Sequence, residues 1–260
     1  MKCYTYKKLI SNNGLYNNSI DATYVIHLEN NGRYDTILKQ LNNTMPTKIV
    51  YILFNKGYKK CNKKKYINRP PLDLVDAFLE IFSHAQKENY NNILILEDDF
   101  IFNEKTIGDN EIINKNINNK KNEFVYFLGC LPILQYPTNF NEYKIISSIG
   151  THSIVYSKEF RNKTLQIDKK EFTDWDYYIG FCGVIRYSHY RPIYYQTFPK
   201  TENSQYWSTD LFFVILKFFI KLFNLDKSQE PGYILFYILS KIGIFIIIFL
   251  FYIIGMQIKN

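Results

Sequence analysis

Three consecutive acidic residues, Glu97, Asp98 and Asp99, follow an apolar run at residues 93–96. Such a run is typical of a buried strand, and open α/β sheets bind ligands at the carboxyl ends of their strands. Side chains alternate along an extended chain, so Glu97 and Asp99 can point the same way. Two nearby carboxylates repel each other, and a cation bound between them offsets this repulsion. Mg²⁺ and Mn²⁺ prefer carboxylates together with substrate phosphates as ligands. The pair therefore predicts a metal site that also binds a nucleotide diphosphate; a turn or helix cap is the alternative.

The sequence on either side of this motif predicts an α/β fold. Residues 22–28 and 48–54 are apolar and rich in β-branched side chains, as buried strands are, and apolar residues within 33–41 recur with the spacing of a helix face. Strand, helix and strand in this order indicate a βαβ unit with a parallel sheet. A second amphipathic helix then leads from a proline pair into the strand before Glu97, and further strands are expected after the acidic triplet.

Five segments give the chain a resemblance to glycosyltransferase family 25, which contains lipopolysaccharide and collagen galactosyltransferases, and within it to divergent versions from large DNA viruses. The segments follow the family's order over about residues 22–208. They are residues 24–28 followed by Arg33, residues 95–99, residues 150–157, residues 174–176, and a closing pattern of Arg191-Pro192, Gln196 and Ser204. Two departures fall in the first segment: His27 stands where the family usually has Asn, and residues 30–32 replace a charged segment.

The resemblance implies a GT-A-like glycosyltransferase fold, with a Rossmann-like nucleotide half and a mixed acceptor half. It also implies inverting transfer of a hexose, such as galactose or glucose, from a UDP-sugar to a hydroxyl on a glycan, lipid or protein. Glu97 and Asp99 would hold the metal. The implied contacts to the nucleotide-sugar are His27, Leu28, Arg33, Asp98, Gly150 and His152. For His152, a lone histidine beside a glycine, the alternative is a packed and hydrogen-bonded residue.

A second carboxylate must take the proton of the acceptor hydroxyl. The resemblance gives this catalytic role to Asp174 or Asp176; Asp174 aligns better with the family motif, and its alternative role is to cap a helix. Trp175, with the two tyrosines that follow Asp176, is expected to offer an apolar wall to a sugar ring. Gln196 and Ser204 are expected to line the mouth of the site, with an ordinary polar loop as the alternative.

The composition fits a globular chain of 260 residues, of which 47% are hydrophobic and 22% charged. The net charge is +8, and six lysines cluster in residues 56–65. No helix-turn-helix, zinc or RNA-binding motif accompanies this lysine loop, so nucleic-acid binding is not predicted. A solvated surface, phosphate steering and contact with anionic lipid are the three interpretations. The four cysteines, Cys3, Cys61, Cys130 and Cys182, form no paired motif, which predicts free thiols and neither a zinc site nor a disulfide framework.

The two ends of the chain differ in character from residues 22–208. Residues 1–21 are polar and are expected to form a loose leader. Residues 209–260 are expected to form an amphipathic helix with a basic face at Lys217 and Lys221, followed by a transmembrane helix. This organisation predicts a membrane protein with a single C-terminal anchor and a catalytic domain that faces the cytosol. A buried core helix is the alternative for the tail.

Together these features predict a membrane-anchored glycosyltransferase that depends on Mn²⁺ or Mg²⁺ and uses a UDP-sugar donor. Two other functions are compatible with the sequence: a catalytically inactive member of the family, and a basic membrane-associated structural protein of a virion. The intact acidic triplet at residues 97–99 favours the enzyme.

Overall fold

The computed structural model describes residues 2–198 and 211–259. Within these ranges the strands form a seven-stranded sheet with the order β1-β3-β2-β4-β7-β6-β8, and a two-stranded sheet in which β5 pairs with β9. The strands are β1 (Tyr4–Ile10), β2 (Ala22–Leu28), β3 (Ile49–Asn55), β4 (Asn92–Glu97), β5 (Phe100–Phe102), β6 (Phe124–Asn139), β7 (Glu142–Ser157), β8 (Ile185–His189) and β9 (Tyr194–Gln196).

The centre of the large sheet confirms the predicted α/β unit. Strand β2 pairs in parallel with both β3 and β4. Helix α1 (Tyr34–Asn43) connects β2 to β3, and helix α2 (Pro70–Lys87) connects β3 to β4. The carboxyl ends of the three parallel strands, at Leu28, Asn55 and Glu97, therefore lie along one edge of the sheet, where α/β folds bind ligands.

Helices cover both faces of this sheet. The other helices in the described residues are α3 (Asn110–Asn118), α4 (Lys158–Thr164), α5 (Trp175–Phe181), α6 (Leu211–Leu222) and α7 (Gly232–Lys259). Residues of α2, α4 and α5 share one hydrophobic core, and residues of α1 and α3 share another. Alternation along β2 serves both cores, since Tyr24 and Ile26 belong to the first and Val25 to the second. Burial on both faces explains why the central strands are continuous apolar runs.

The predicted loose leader is wrong for residues 4–10. They form β1, which pairs antiparallel with β3 along its whole length. The segment between β1 and β2 is also anchored, because Tyr16 and Ile20 are buried. Strand β1 lies at the edge of the sheet and is largely exposed, so its sequence carries lysines in place of the apolar run that identifies a central strand.

The prediction of free thiols is wrong for two of the four cysteines. Cys3 and Cys61 form a disulfide across a sequence separation of 58 residues, with their Cα atoms 5.6 Å apart, whereas Cys130 and Cys182 are free. The pairing of β1 with β3 brings the first two together, because the Lys56 amide donates to the Cys3 carbonyl at 3.2 Å and the following turn returns Cys61 to it. Spacing along the sequence does not reveal a pair that an unrecognised strand creates.

The lysine loop is only partly a solvated surface. The Lys63 side chain is 3% exposed, and its Nζ lies 2.5 Å from Asp73 Oδ1 and donates to Asn55 Oδ1 at 3.0 Å. Lys59 and Lys64 are exposed. One lysine of the run thus fixes the loop against α2 and the end of β3.

Helix α7 begins as part of the globular domain. Gln135 of β6 donates to Ser240 Oγ at 2.8 Å, and Lys241 Nζ donates to the Tyr190 carbonyl at 2.7 Å; Tyr237 is also buried. Among the residues that the structure describes, no helix is both long enough and apolar enough to cross a bilayer. The predicted transmembrane helix is therefore not supported, and the alternative of a packed helix holds for the first turns of α7.

We expect Cys61→Ser to lower the free energy of unfolding by about 2–4 kcal/mol, because the disulfide closes a long loop in the unfolded chain. Urea denaturation without reductant, followed by circular dichroism, measures the change. Cys182→Ser, which removes a free thiol, is the control and should leave the midpoint unchanged. A midpoint for Cys61→Ser that equals the control would contradict the cross-link.

Candidate functional site

Asp98 lies under the loop that joins β2 to α1 and holds it in place. The Arg33 guanidinium donates to Asp98 Oδ1 at 2.5 Å, and the Leu28 amide donates to Oδ2 at 3.2 Å. Asn31 Nδ2 also donates to Oδ2, and His27 Nδ1 lies 3.4 Å from the same oxygen. The structure thus brings the four residues predicted as nucleotide contacts at this edge into one cluster and adds Asn31 to them.

This cluster keeps Asp98 ionised. Burial alone would raise its pKa, but the hydrogen bonds from His27, Arg33 and Asn31, with the charge of Arg33, hold the pKa of the carboxyl below its usual range. Both carboxylate oxygens already have donors from the chain. Asp98 therefore positions the loop of residues 27–33 at the carboxyl edge of the sheet instead of presenting a free carboxylate.

Glu97 and Asp99 form a second acidic group together with Asp176. Thr151 of β7 links two of them, since Thr151 Oγ1 donates to Asp176 Oδ1 at 2.6 Å and lies 3.3 Å from Glu97 Oε1. A single hydroxyl proton satisfies only one of these carboxyls. Burial, then the charges of Asp99 and Asp176, raise the pKa of Glu97 well above its usual value. The negative charges of this group are not balanced as those around Asp98 are.

Asp99 has the clearest unmet hydrogen-bonding demand in this group. Its Oδ1 is buried and has no hydrogen-bond partner among the residues that the structure describes. Burial and the negative charge of Asp98 raise its pKa to about 7, in spite of a hydrogen bond with the Gln196 side chain. A buried carboxylate oxygen without a partner is costly, and a bound cation or a donor from a ligand would offset that cost.

Asp174 and Asp176 have different environments in α5. Asp174 is the N-cap residue, and its Oδ1 accepts from the Tyr177 amide at 3.0 Å. Asp176, in the first turn, reaches Thr151 beside Glu97. Surrounding protein atoms and the charge of Asp174 raise the pKa of Asp176 to about 6, although the residue as a whole is exposed. The capping alternative for Asp174 is thus observed, and Asp176 is the carboxylate that joins the acidic group.

Gly150 and Gln196 form the wall of the site next to Asp99. Gly150 has a φ of 83°, and a Cβ added there would lie 3.6 Å from Gln196 Oε1 and 3.3 Å from His152 Nδ1, so glycine gives the close fit. Burial lowers the pKa of His152 to about 4, and its Nε2 lies 3.3 Å from the Tyr194 carbonyl. His152 is thus a neutral, packed residue behind this wall, as its alternative interpretation has it.

Trp175, one of the predicted mouth residues, lies in the core instead. Trp175 is 1% exposed, its ring stacks on Phe78 with centroids 4.4 Å apart, and its Nε1 donates to Tyr156 Oη at 2.9 Å. It is a core residue because α5 turns it towards α2, so its prediction as a sugar wall is wrong. Ser204 lies outside the described residues.

Sequence reasoning did not select Asn31, Thr151 or Tyr233. For Asn31 a local signal exists, because its Oδ1 accepts from the Arg33 amide at 3.0 Å, a turn that asparagine favours before glycine. Thr151 lies inside the segment 150–157, but only the folded chain brings it to the carboxyls of Glu97 and Asp176. Tyr233 Oη accepts from the Gln196 amide at 2.9 Å and donates to its carbonyl at 3.1 Å, a long-range contact without a sequence signal.

The acidic group does not form a complete metal site from protein ligands alone, but it suits a site that substrate phosphates complete. Within residues 2–198 and 211–259, no three His, Cys, Asp or Glu side chains are arranged to hold a metal ion by themselves. Glu97 and Asp99 do offer hard oxygen donors, including the unpartnered Oδ1 of Asp99. Mg²⁺ and Mn²⁺ accept one or two carboxylates when substrate phosphates and water complete the shell. The donor set therefore fits a metal that arrives with a diphosphate.

Comparisons with known proteins give limited further evidence. No protein-family model and no curated protein matches the chain. One similar solved structure is A197 from STIV, with 13% identity, a TM-score of 0.41, and coverage of 70% of this chain and 86% of that one. Another is a glycosyltransferase involved in the glycosylation of the major capsid of PBCV-1, with 9% identity, a TM-score of 0.40, and coverage of 71% and 95%. At these TM-scores neither likeness bears on activity, and membership of family 25 is not confirmed.

The raised pKa of Asp99 predicts how stability depends on pH. Folding raises this pKa from 3.8 to about 7, so the stabilising contribution is complete below the ordinary value and is lost as the pH rises through about 7. We expect the melting temperature, measured with chelator present, to fall between about pH 4 and pH 7. Asp99→Asn should flatten this dependence and raise the free energy of unfolding near pH 8 by up to about 4 kcal/mol. Asp226→Asn changes an exposed carboxyl and is the control, which should keep the wild-type pH profile. A wild-type profile for Asp99→Asn would mean that the Asp99 carboxyl is solvated, and it would contradict the prediction.

Proposed function

We propose that this protein is a metal-dependent glycosyltransferase that moves a hexose from a UDP-sugar to an acceptor hydroxyl. The observation that carries the proposal is the unbalanced acidic group at the carboxyl edge of β4, where Glu97 and Asp176 meet at Thr151 and the charge of Asp99 acts on Glu97. Next to it, Asp98 is fully paired. At this sheet edge Asp98 is neutralised by the chain, whereas the neighbouring acidic group lacks a countercharge from the described residues. Such an edge is suited to a diphosphate that binds together with a metal ion.

The donor side of the site comprises the loop of residues 27–33 and the pair Glu97 and Asp99. Under this proposal the loop contacts the nucleotide-sugar, and the two carboxylates hold Mn²⁺ or Mg²⁺ with the diphosphate. When bound, such an ion neutralises the charge of the diphosphate that leaves. Gly150 and Gln196 would border the donor sugar on the side of Asp99, and His152 packs behind them.

The acceptor side is assigned to Asp176. A pKa of about 6 leaves this carboxyl ionised near neutral pH and still basic enough to take a proton from an attacking hydroxyl. The Thr151 hydroxyl, 2.6 Å from Oδ1, fixes the carboxylate in position. Asp174 is less suited to this role, because its own Oδ1 accepts the Tyr177 amide as a helix cap.

The test is a donor panel on the purified protein, with UDP-galactose and UDP-glucose included and with Mn²⁺, Mg²⁺ or chelator present. We expect one UDP-sugar to raise the melting temperature only with metal and to be hydrolysed slowly. Asp176→Asn should retain that thermal shift and lose at least about 100-fold in turnover. Asp99→Asn should lose the metal-dependent shift, and Asp226→Asn is the matched control.

Two outcomes of this panel would contradict the proposal. One is the absence of binding and hydrolysis for every nucleotide-sugar, which an inactive relative or a structural virion protein would give. The other is turnover that Asp99→Asn and Asp176→Asn leave at the wild-type level.

We further infer that the C-terminal helices rest on an anionic membrane surface. Helices α6 and α7 expose many large apolar side chains, and Lys221 and Lys227 beside them are exposed and cationic. Apolar side chains next to lysines are typical of contact with lipid headgroups and the outer acyl region. The exposed residues include Phe218 and Leu222 of α6 and Leu239, Ile242, Phe245, Ile246, Phe249 and Tyr252 of α7.

Flotation with lipid vesicles tests this inference. We expect the protein to float with phosphatidylcholine vesicles that contain phosphatidylserine, and to float less without phosphatidylserine or at high salt. The double variant Phe245→Glu and Phe249→Glu should stay at the bottom of the gradient. Phe140→Glu, which changes a phenylalanine that is 96% exposed at the β6–β7 turn, is the control. If the wild-type protein floats with none of the vesicles and elutes as a stable dimer in size-exclusion chromatography, the membrane inference is wrong. The apolar surface would then be covered by a second copy of the chain.

A further inference from the structure

A small cleft opens beside Asp176. It lies between β7, which contributes Ser148, Gly150 and Thr151, and the strand β8, which contributes Arg186. Phe127 of β6 also lines it. The cleft thus places one carboxylate, one guanidinium, two hydroxyls and an aromatic side chain around one space, and it adjoins the donor side at Gly150.

Arg186 is the cationic residue that lines this cleft. Its Nη2 donates to the Ile146 carbonyl at 2.6 Å, and it forms no ion pair with any residue in the described part of the chain. It is half-buried, and this burial lowers its pKa below the usual value. A guanidinium presents a planar fork of donors that matches carboxylate and phosphate oxygens, and within residues 2–198 and 211–259 the Ile146 carbonyl is the acceptor that it has.

Helix α5 shapes the opening of the cleft. Asp176 and Gly180 are four residues apart and so share a face of the helix, and a Cβ at Gly180 would lie 4.0 Å from Arg186 Nη1. The adjacent face carries Tyr177 and Phe181, whose rings are 4.7 Å apart and whose residues are 60% and 75% exposed. Exposed aromatic rings beside polar groups provide the flat apolar surface on which a sugar ring packs.

We propose that this cleft and the aromatic face of α5 beside it form the acceptor subsite, for a sugar that carries a carboxylate or phosphate group, and that Arg186 binds this group at the cleft. Tyr177 and Phe181 form the apolar wall for the ring, a role that the sequence pointed to at Trp175 and its neighbours. The proposal deepens the proposed function and rests on it, because Asp176 is placed at the attacked hydroxyl.

The reaction is balanced with these groups. The acceptor oxygen forms a bond to the anomeric carbon of the donor sugar while the bond from that carbon to the diphosphate oxygen breaks. The hydroxyl proton passes to Asp176, and the bonding electron pair leaves with the UDP. Arg186 takes no part in bond making; it is a binding residue that sets which hydroxyl reaches Asp176.

Acceptor binding is measured directly on the full chain by titration calorimetry and saturation-transfer NMR, without donor. The probes are a methyl glucuronide, a sugar monophosphate and the neutral methyl glucoside. We expect wild-type protein to bind at least one anionic sugar about tenfold more tightly than the glucoside. Arg186→Gln should abolish that preference, Arg186→Lys should keep part of it, and Phe181→Ala should weaken both anionic and neutral sugars.

Lys87→Gln is the matched control, because α2 ends at the opposite edge of the sheet. Equal binding of anionic and neutral sugars by wild-type protein, or an unchanged preference in Arg186→Gln with a wild-type melting temperature, would overturn the proposal. If Arg186→Gln melts early, the Arg186→Lys and Phe181→Ala results decide. Because donor binding is assayed separately, a protein that prefers anionic sugars yet binds no UDP-sugar would refute the transferase function and leave the anionic sugar site standing.

Discussion

Three consecutive carboxylates at the end of a buried strand are the constraint on which the rest of the site depends. Negative charges removed from water must be paired, hydrogen-bonded or neutralised. The chain meets this requirement for Asp98 in one way and for Glu97 and Asp99 in another. Asp98 receives a guanidinium and several neutral donors from one loop, which hold its pKa low. From the described residues, Glu97 receives a hydroxyl and Asp99 an amide, and burial together with neighbouring carboxylates raises the pKa of both. Folding thus places unbalanced negative charge at one point of the sheet edge.

The topology of the sheet explains why so many segments meet there. Strand β7 runs antiparallel to β4 and brings Thr151 past the end of Glu97, while β9 pairs with β5 directly after the triplet and brings Gln196 to Asp99. Helix α5 packs Trp175 into the core, and this packing leaves Asp176 at the sheet edge. The polar site therefore depends on apolar contacts that lie elsewhere, since the ring stack with Phe78 fixes the helix that carries Asp176.

Much of this arrangement could be predicted from the sequence, and the rest could not, for physical reasons. Central strands buried on both faces and their amphipathic crossover helices leave local apolar patterns, so β2, β3, β4, α1 and α2 were predicted correctly. Edge strand β1 leaves no such pattern, and without it the Cys3–Cys61 disulfide is invisible. The choice between Asp174 and Asp176 depends on a capping hydrogen bond and on a strand that lies distant in sequence, neither of which spacing determines.

The tail illustrates how a polar residue in an apolar helix can be misinterpreted. Ser240 looks like an interruption of a hydrophobic span, yet it receives a hydrogen bond from Gln135 of β6 and so fixes α7 to the sheet. Two turns earlier, Tyr233 hydrogen-bonds both backbone groups of Gln196, whose side chain reaches Asp99. Helix α7 consequently supports the wall of the site and also carries the exposed apolar surface. Any partner that binds that surface acts on an element that holds Gln196 in place, so the apolar surface and the wall next to Asp99 share one structural support.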